Sequence, residues 1–403
     1  MKYVKVEDLG QIVTGNTPPT SDMSNYGNYM PFIKATDIIL GSRYTYVTEQ
    51  GYSEKSYKKY KANIVPKGST CIVTIGSIGK KMTQAHTDLF VNQAINAILP
   101  YKQYDKDYIY YATKYAVLPQ LKIYDSGTTS GRENISKSSF SNIRLYVEED
   151  FSTQQKIASI LSAYDRLIEN NTHRICLLEQ MAENLYKEWF VRFRFPEHEN
   201  VEIVNGLPKG WEIKIIADFG RIETGKTPPM SNRDLYGGDI LFVKTPDMHG
   251  KLFVRSTSET LSQEGNNYQR TKLLPINSIM VSCIGTAGIV SINTNLAHTN
   301  QQINSIILNN LEDLEWLYYV CRQLKPTIEL FGATGATMTN LSKGKFEKLK
   351  IVVPKVDFRG AFHKRIRPYF KEIYALEQQN TFLTRQRDLL LPRLMSGKLE
   401  VKS

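Results

Sequence analysis

The search for chemistry starts with the side chains able to perform it. Asn16-Thr-Pro-Pro-Thr superficially matches the Asn/Asp-Pro-Pro-Tyr/Phe motif that an adenine methyltransferase needs. Thr17 splits the match, no aromatic residue follows, and the repeat copy reads Lys226-Thr-Pro-Pro-Met. The sequence has no GxxxxGK[ST] loop, so it offers no cradle for a nucleoside triphosphate. The six histidines form no HxxxH pair, and no carboxylates cluster with lysine at the spacing of a metal-dependent nuclease. Cys71, Cys176, Cys283 and Cys321 form no CxxC pair, and are expected to be reduced core thiols of a cytosolic protein. The reading is of a non-catalytic chain that binds no cofactor or metal itself.

Composition narrows the partner. The 403 residues carry a formal net charge of +11, with 41% hydrophobic and 23% charged residues. Such a chain is globular and long enough for two or three domains, and its surplus of cations favours a polyanion. Met1 to Asp8 is too polar for a signal peptide, and no run of 18 apolar residues offers a membrane span, so the cytoplasm is the expected location.

The elements that must position any site are duplicated. At an offset of 210, Gly10, Ile12, Thr14, Gly15, Thr17, Pro18, Pro19, Ser21, Tyr26, Gly27, Phe32, Lys34 and Asp37 recur between Gly220 and Asp247, 13 identities in 30 positions. Further on, Pro66, Ser69, Ile75, Gly76 and Gly79 recur as Pro275, Ser278, Ile284, Gly285 and Gly288. Asn92-Gln93 recurs as Asn300-Gln301, and Asn134, Ser136-Lys137 and Phe140 as Asn340, Ser342-Lys343 and Phe346. A period this long marks a duplicated domain rather than a solenoid. Two like domains suggest a single-chain counterpart of a dimer that reads two half-sites. A duplicated protein-interaction module without DNA is the alternative.

Each half opens with a globular region, residues 1–151 and 208–355. Ser69 to Ile75 and Ser278 to Ile284 read as strands, and Lys106 to Leu118 and Leu311 to Leu324 as short helices, giving an α+β class. Each half then turns helical, over 152–190 and 356–396, with a linker at 191–207 and a tail at 397–403. Ile157, Tyr164, Asn171, Leu178 and Leu185 fall in one heptad register, beside Leu161, Ile168, Ile175, Ala182 and Trp189, while Ile160, Leu167 and Met181 fill between. The second helix repeats this with Phe362, Tyr369, Leu376, Leu383 and Leu390, flanked by Ile366, Ile373 and Leu394. Ser152 with Gln155 reads as a capping box, and Pro368 as a kink or the start of the main second segment. Helices of this length, roughly 58 Å, are expected to pack on each other as an antiparallel pair with pseudo-two-fold symmetry. Asn171 and Asn380 interrupt the two stripes; they either meet at the crossing and set its register or face solvent separately.

Four blocks together resemble the specificity subunit of type I restriction-modification systems. They are Ser152 to Asp165, Glu179 to Val191, Gly206-Leu-Pro-Lys-Gly-Trp211, and Arg387 to Val401. The resemblance spans the chain. It implies two target-recognition domains, each contacting one half of a split double-stranded DNA sequence, and two helical spacers in an antiparallel coiled coil. It also implies two modification subunits that methylate adenine, restriction subunits that join them, and S-adenosylmethionine, ATP and magnesium held by those partners. An independent enzymatic reading, a methyltransferase carrying its own recognition domains, lacks its motifs.

Candidate DNA contacts follow. Thr14, Gly15 and Thr17, with Thr224, Gly225 and Thr227, suit a loop that offers hydroxyls and backbone N–H groups, and Lys34 and Lys244 add charge. Shared positions suit backbone contacts, because domains reading different sequences must differ where they touch bases. Sequence-specific contacts belong where the halves diverge, Arg43 to Lys61 against Lys251 to Lys272. Lys58, Lys59 and Lys61 interleave with Tyr52, Tyr57 and Tyr60 there. Ser77, Gly79, Thr286 and Gly288 either approach DNA or simply turn the chain, as do the small-residue loops Gly127 to Arg132 and Gly332 to Thr337.

Overall fold

A computed structural model describes residues 1–125, 133–332 and 340–401. Its contacts divide into two compact units, one formed by Met1–His173 with Glu377–Ser403 and the other by Arg174–Leu376. Each is mixed α and β.

The first unit carries a four-stranded sheet ordered Gly10–Thr14, Ile95–Pro100, Thr70–Val73, Met82–Gln84, all antiparallel. A three-stranded sheet pairs Tyr26–Ile33 antiparallel with Gln50–Tyr52 and parallel with Phe90–Val91. Lys2–Lys5 pairs with Arg144–Val147. The second unit repeats the plan. Its larger sheet runs Gly220–Thr224, Ile303–Leu308, Ile279–Ser282, Val290–Asn293, Phe253–Val254, and its smaller one joins Glu259–Leu261, Tyr236–Val243 and Ala297–Thr299. The same register shift interrupts the hairpin in both, between Tyr26 and Met30 and between Tyr236 and Ile240. Short, β-branched strands bounded by Pro and Gly form here because each buries every side chain: all four residues of Thr70–Val73 and of Ile279–Ser282 are buried.

The long helices are Phe151–Tyr186 and Val356–Met395. Asp150 caps the first, accepting from the Thr153 N–H at 2.7 Å, so the expected Ser152–Gln155 box does not form. A carboxylate one turn earlier satisfies the free N–H and suits the positive helix end. Pro368 neither opens nor ends the second helix. It lies inside the helix on an exposed face, where the missing N–H leaves the Lys364 carbonyl open to solvent.

Both helices contribute to both units. In the first unit, Ile157, Ala158 and Leu161 with Leu391, Leu394 and Met395 enter the same core as Val6, Ile98 and Phe140. In the second, Ala182, Tyr186, Trp189 and Phe190 with Phe362, Ile366, Phe370 and Ile373 enter the core of Ile279, Trp316 and Phe346. Within each unit the two segments run antiparallel: Asp165 meets Arg387 and Asn171 meets Asn380, while Arg174 meets Glu372 and Trp189 meets Phe362. The helices thus pair antiparallel as expected, and the globular parts of each unit cover part of the stripe as well. Tyr164, Ile168, Leu178, Leu185, Tyr369, Leu383 and Leu390 are half-buried, Leu376 is buried, and Leu167 and Met181 face solvent at 50% and 52% exposure.

The stretch expected as a linker is structured. Ile203–Val204 pairs with Leu207–Pro208, and buried Phe195 packs its ring 4.5 Å from Phe358 and 5.4 Å from Trp211. Among the cysteines, Cys71, Cys283 and Cys321 are buried, and burial pushes the Cys71 thiol up to about 12; Cys176 is exposed, so it is no core thiol. Among the described residues, no helix is long and apolar enough to cross a membrane.

Candidate nucleic-acid interface

The repeated Thr-Gly-x-Thr-Pro-Pro loop follows the first strand of each larger sheet. Gly15 is there for space: a Cβ would lie 2.2 Å from the carbonyl oxygens of Val91 and Asn92, and at Gly225 2.1 Å from that of Thr299. Only glycine permits this approach. The approach also engages several of the loop's donors. Gly15 and Gly225 give their N–H groups to Ile95 and Ile303, and Asn16 and Lys226 give theirs to Val91 and Thr299. Thr14 and Thr224 donate their hydroxyls to Asn96 and Asn304, each at 2.6 Å. The expectation that this loop offers backbone N–H groups outward is therefore corrected at Gly15 and Gly225, which are buried.

What the loop does turn outward is Thr17 and Thr227, whose hydroxyls donate to Gln93 and, at 2.7 Å, Gln301. Both glutamines are exposed. Two tyrosines lock the loop's far side, Tyr26 and Tyr236 donating to the Pro18 and Pro228 carbonyls at 2.7 Å.

The expected cations are unequal. Lys34 pairs with Glu49 and Lys244 with Glu259, and Asp37 and Asp247 cap those same turns through the Lys34 and Lys244 N–H groups. Lys58 pairs with Glu54 at 2.8 Å, and half-buried Lys272 reaches Glu223 at 2.5 Å. Lys59 and Lys61 are exposed and have no carboxylate partner among the described residues. They lie at the end of the helix Glu54–Tyr60 and just past it. That helix packs its Tyr57 against Phe90, beside Tyr52, whose hydroxyl bonds the Asn16 carbonyl at 2.6 Å. Glu54–Tyr60 and the Thr17 loop are therefore tied through one aromatic cluster. In the second unit, Lys226 lies over the Tyr268 ring at 4.9 Å, and Arg270 is exposed nearby in sequence. Sequence reasoning passed over Gln93, Gln301, Lys226 and Arg270; the Asn-Gln repeat was the available signal.

Ser77 and Thr286 are exposed at tight turns. Gly79 and Gly288 have φ of 70° and 79°, and a Cβ on either would press on Leu118 or Lys325, so both serve turns. Arg132 lies outside the described residues, as do the remainder of Gly127 to Arg132 and residues 333–337. Among the described residues, no group of three or more His, Cys, Asp or Glu could hold a metal ion.

A second polar assembly, unforeseen from sequence, lies inside the first unit. Arg43 pairs with Asp107 at 2.6 Å and donates to Gln84, Tyr111 and Ser162 at 2.7, 3.2 and 2.8 Å. Tyr111 donates to Asp165, which also pairs with Arg387 at 2.5 Å. Burial, and then the Asp165 charge, lifts the Tyr111 hydroxyl well above the usual tyrosine range, so it stays a donor. Arg43 therefore cannot read bases: it is 6% exposed and ties the sheet to the helix.

The family profile of the type I restriction-modification DNA specificity domain matches residues 1–180 and 208–381. The chain belongs to this specificity family. Its two matched copies coincide with the sequence repeat. Among curated relatives, the HindI specificity subunit of a type I restriction enzyme from Haemophilus influenzae is 36% identical over 311 residues, covering 62% of this chain and 68% of the relative. The MjaIX specificity subunit from Methanocaldococcus jannaschii is 28% identical over 412 residues, covering 99% and 93%. The crystal structure of a type I restriction-modification S subunit from M. genitalium shares the specificity fold, with a TM-score of 0.61 at 15% identity over 98% of this chain and 96% of that one.

Proposed function

We propose that this specificity-family chain is the non-catalytic DNA-reading subunit of a type I restriction-modification complex. Each globular domain reads one half of a split duplex target, and the helices fix the gap between the halves. Two adenine-modification subunits and the restriction subunits assemble on it, and S-adenosylmethionine, ATP and magnesium belong to those partners. One observation carries the reading. The two domains share element order and the Thr-Gly-x-Thr-Pro-Pro loop with its hydrogen bonds, yet Arg43–Lys61 and Lys251–Lys272 carry different side chains over matching elements. A shared frame with diverged surfaces is what reading two unlike half-sites requires. The charge of +11 suits the polyanionic partner.

The test is adenine-methylation mapping in cells holding this chain with its modification subunits, with and without its gene. A split motif of two unlike halves that disappears with the gene is expected. Methylation unchanged by the deletion would remove the assignment.

A further inference from the structure

We propose that Gln93 and Gln301 are DNA-backbone contacts common to both domains, each aiming its amide N–H groups at a phosphate oxygen. The proposal deepens the DNA-reading function and rests on it.

The geometry is the same twice. In each unit the glutamine carbonyl accepts the hydroxyl of Thr17 or Thr227. This leaves the two Nε2 N–H donors, which have no acceptor among the described residues, facing out from an exposed position. The support is stiff. Gly15 and Gly225 touch the strand end that carries the glutamine, and the adjoining N–H groups of Asn16 and Lys226 bond that same strand end at 3.0 and 2.9 Å. An exposed long side chain gains little for folding by being held so, whereas a preset donor saves ordering entropy on binding.

Charge and repetition choose the ligand. Lys226 adjoins Thr227 in sequence, and Lys59 and Lys61 lie at the end of and just past the helix tied to the Thr17 loop through Tyr52, so an anion is favoured. Domains that read unlike half-sites must differ at base contacts, so an identical oriented donor meets what every sequence shares, the phosphate backbone. Glutamine amides serve there as neutral donors.

The experiment measures binding of the full chain to two mixed-sequence 30-bp duplexes of unrelated sequence across a salt series, beside thermal melting. Gln93→Ala/Gln301→Ala is expected to bind both duplexes about tenfold or more weakly, from two lost hydrogen bonds. The slope against salt should not change, because no charge is removed. Gln93→Glu should bind more weakly than Gln93→Ala, and Thr17→Val should lose part of the effect, both with wild-type melting. Wild-type affinity in the double variant would overturn the contact alone. Loss on one duplex only would mean base reading and overturn the backbone assignment. Loss that follows a lowered melting temperature would make the pair structural. Failure of the unsubstituted chain to bind either duplex would overturn the DNA-reading function itself.

Discussion

The two units hold the same helices by different chemistry. In the first, Arg43, Tyr111, Ser162, Asp165 and Arg387 form one buried polar chain from sheet to helices, with half-exposed Asp107 at its edge. In the second, rings meet instead: Tyr186 on Tyr319 at 5.4 Å, Phe190 on Phe362 at 5.0 Å, Phe253 on Phe370 at 5.9 Å. The second unit adds a hydrogen bond between His363 and Glu315 and the Arg359–Asp313 ion pair. Duplication thus preserved the sheets while the junction with the helices diverged. Aromatic packing tolerates loss only by leaving a cavity; a buried ion chain fails when one member is left unpaired.

That contrast gives the largest effects. Arg387→Met leaves Asp165 buried without its cation and should lower stability by about 3–5 kcal/mol. Replacing both partners, Asp165→Leu/Arg387→Met, should recover most of the loss. Phe362→Ala should cost a similar 3–5 kcal/mol or so through its cavity, with no second substitution among its neighbours restoring it. Chemical denaturation of the three variants checks this. Equal costs for the single and double changes in the first unit would break the comparison.

A smaller effect separates the units by pH. His298 occupies the place that Phe90 holds in the first unit, each pairing in parallel with its neighbouring phenylalanine, Phe242 or Phe32. Asn266 binds His298 at 2.9 Å where Tyr57 meets Phe90 edge-on. Burial lowers the His298 pKa from 6.5 to about 4. The unfolded chain therefore takes up a proton near pH 6.5 that the folded unit refuses until about 4. Stability from this site is full above 6.5, falls between 6.5 and 4, and is level below. His298→Phe should flatten the melting temperature of the second unit across that window and leave the first unchanged. A slope that survives the substitution would place the acid sensitivity elsewhere.

Among the lysines of the first unit, Lys59→Ala/Lys61→Ala should reduce the salt slope of DNA binding by about 1.8, nearly one per phosphate charge. Lys58→Ala should move it less, because Glu54 already pairs with that amine. A drop of about 0.9 for Lys58→Ala, half that of the double variant, would show that the ion pair at Lys58 opens on DNA.

The sheets and helices were legible because apolar spacing and a long repeat report burial and shared fold. The four sequence blocks made the specificity family legible too. What stayed hidden was whatever depends on which side chain meets which. Arg43 sits in a diverged basic stretch and reads as a DNA contact; only tertiary packing brings it to Asp107 and Ser162. Gly15 reads as an open loop residue, but its missing Cβ serves a contact with Val91 and Asn92. Lys34 reads as free charge, and Glu49, 15 residues on, neutralises it. Period-seven spacing located the helical stripe but not its partner, so Leu167 was counted inward although it faces solvent.

The seam gives the smallest effect and the sharpest sign. Asn171 is buried and donates 2.9 Å to both Gln379 and Asn380, and Asn380 donates 3.3 Å to Thr172. Among polar seam residues, amides facing each other favour one register, since any slip sets an amide against an apolar side chain. Asn171→Leu alone leaves the Asn380 amide facing a methyl group and should cost about 1 kcal/mol, the low end for a polar group that water still reaches. Asn171→Leu/Asn380→Leu removes both amides, and Gln379 and Thr172 can turn to water. The double variant should match or exceed the wild-type melting temperature. A double variant less stable than the single would mean that the two amides support the helices rather than select their alignment.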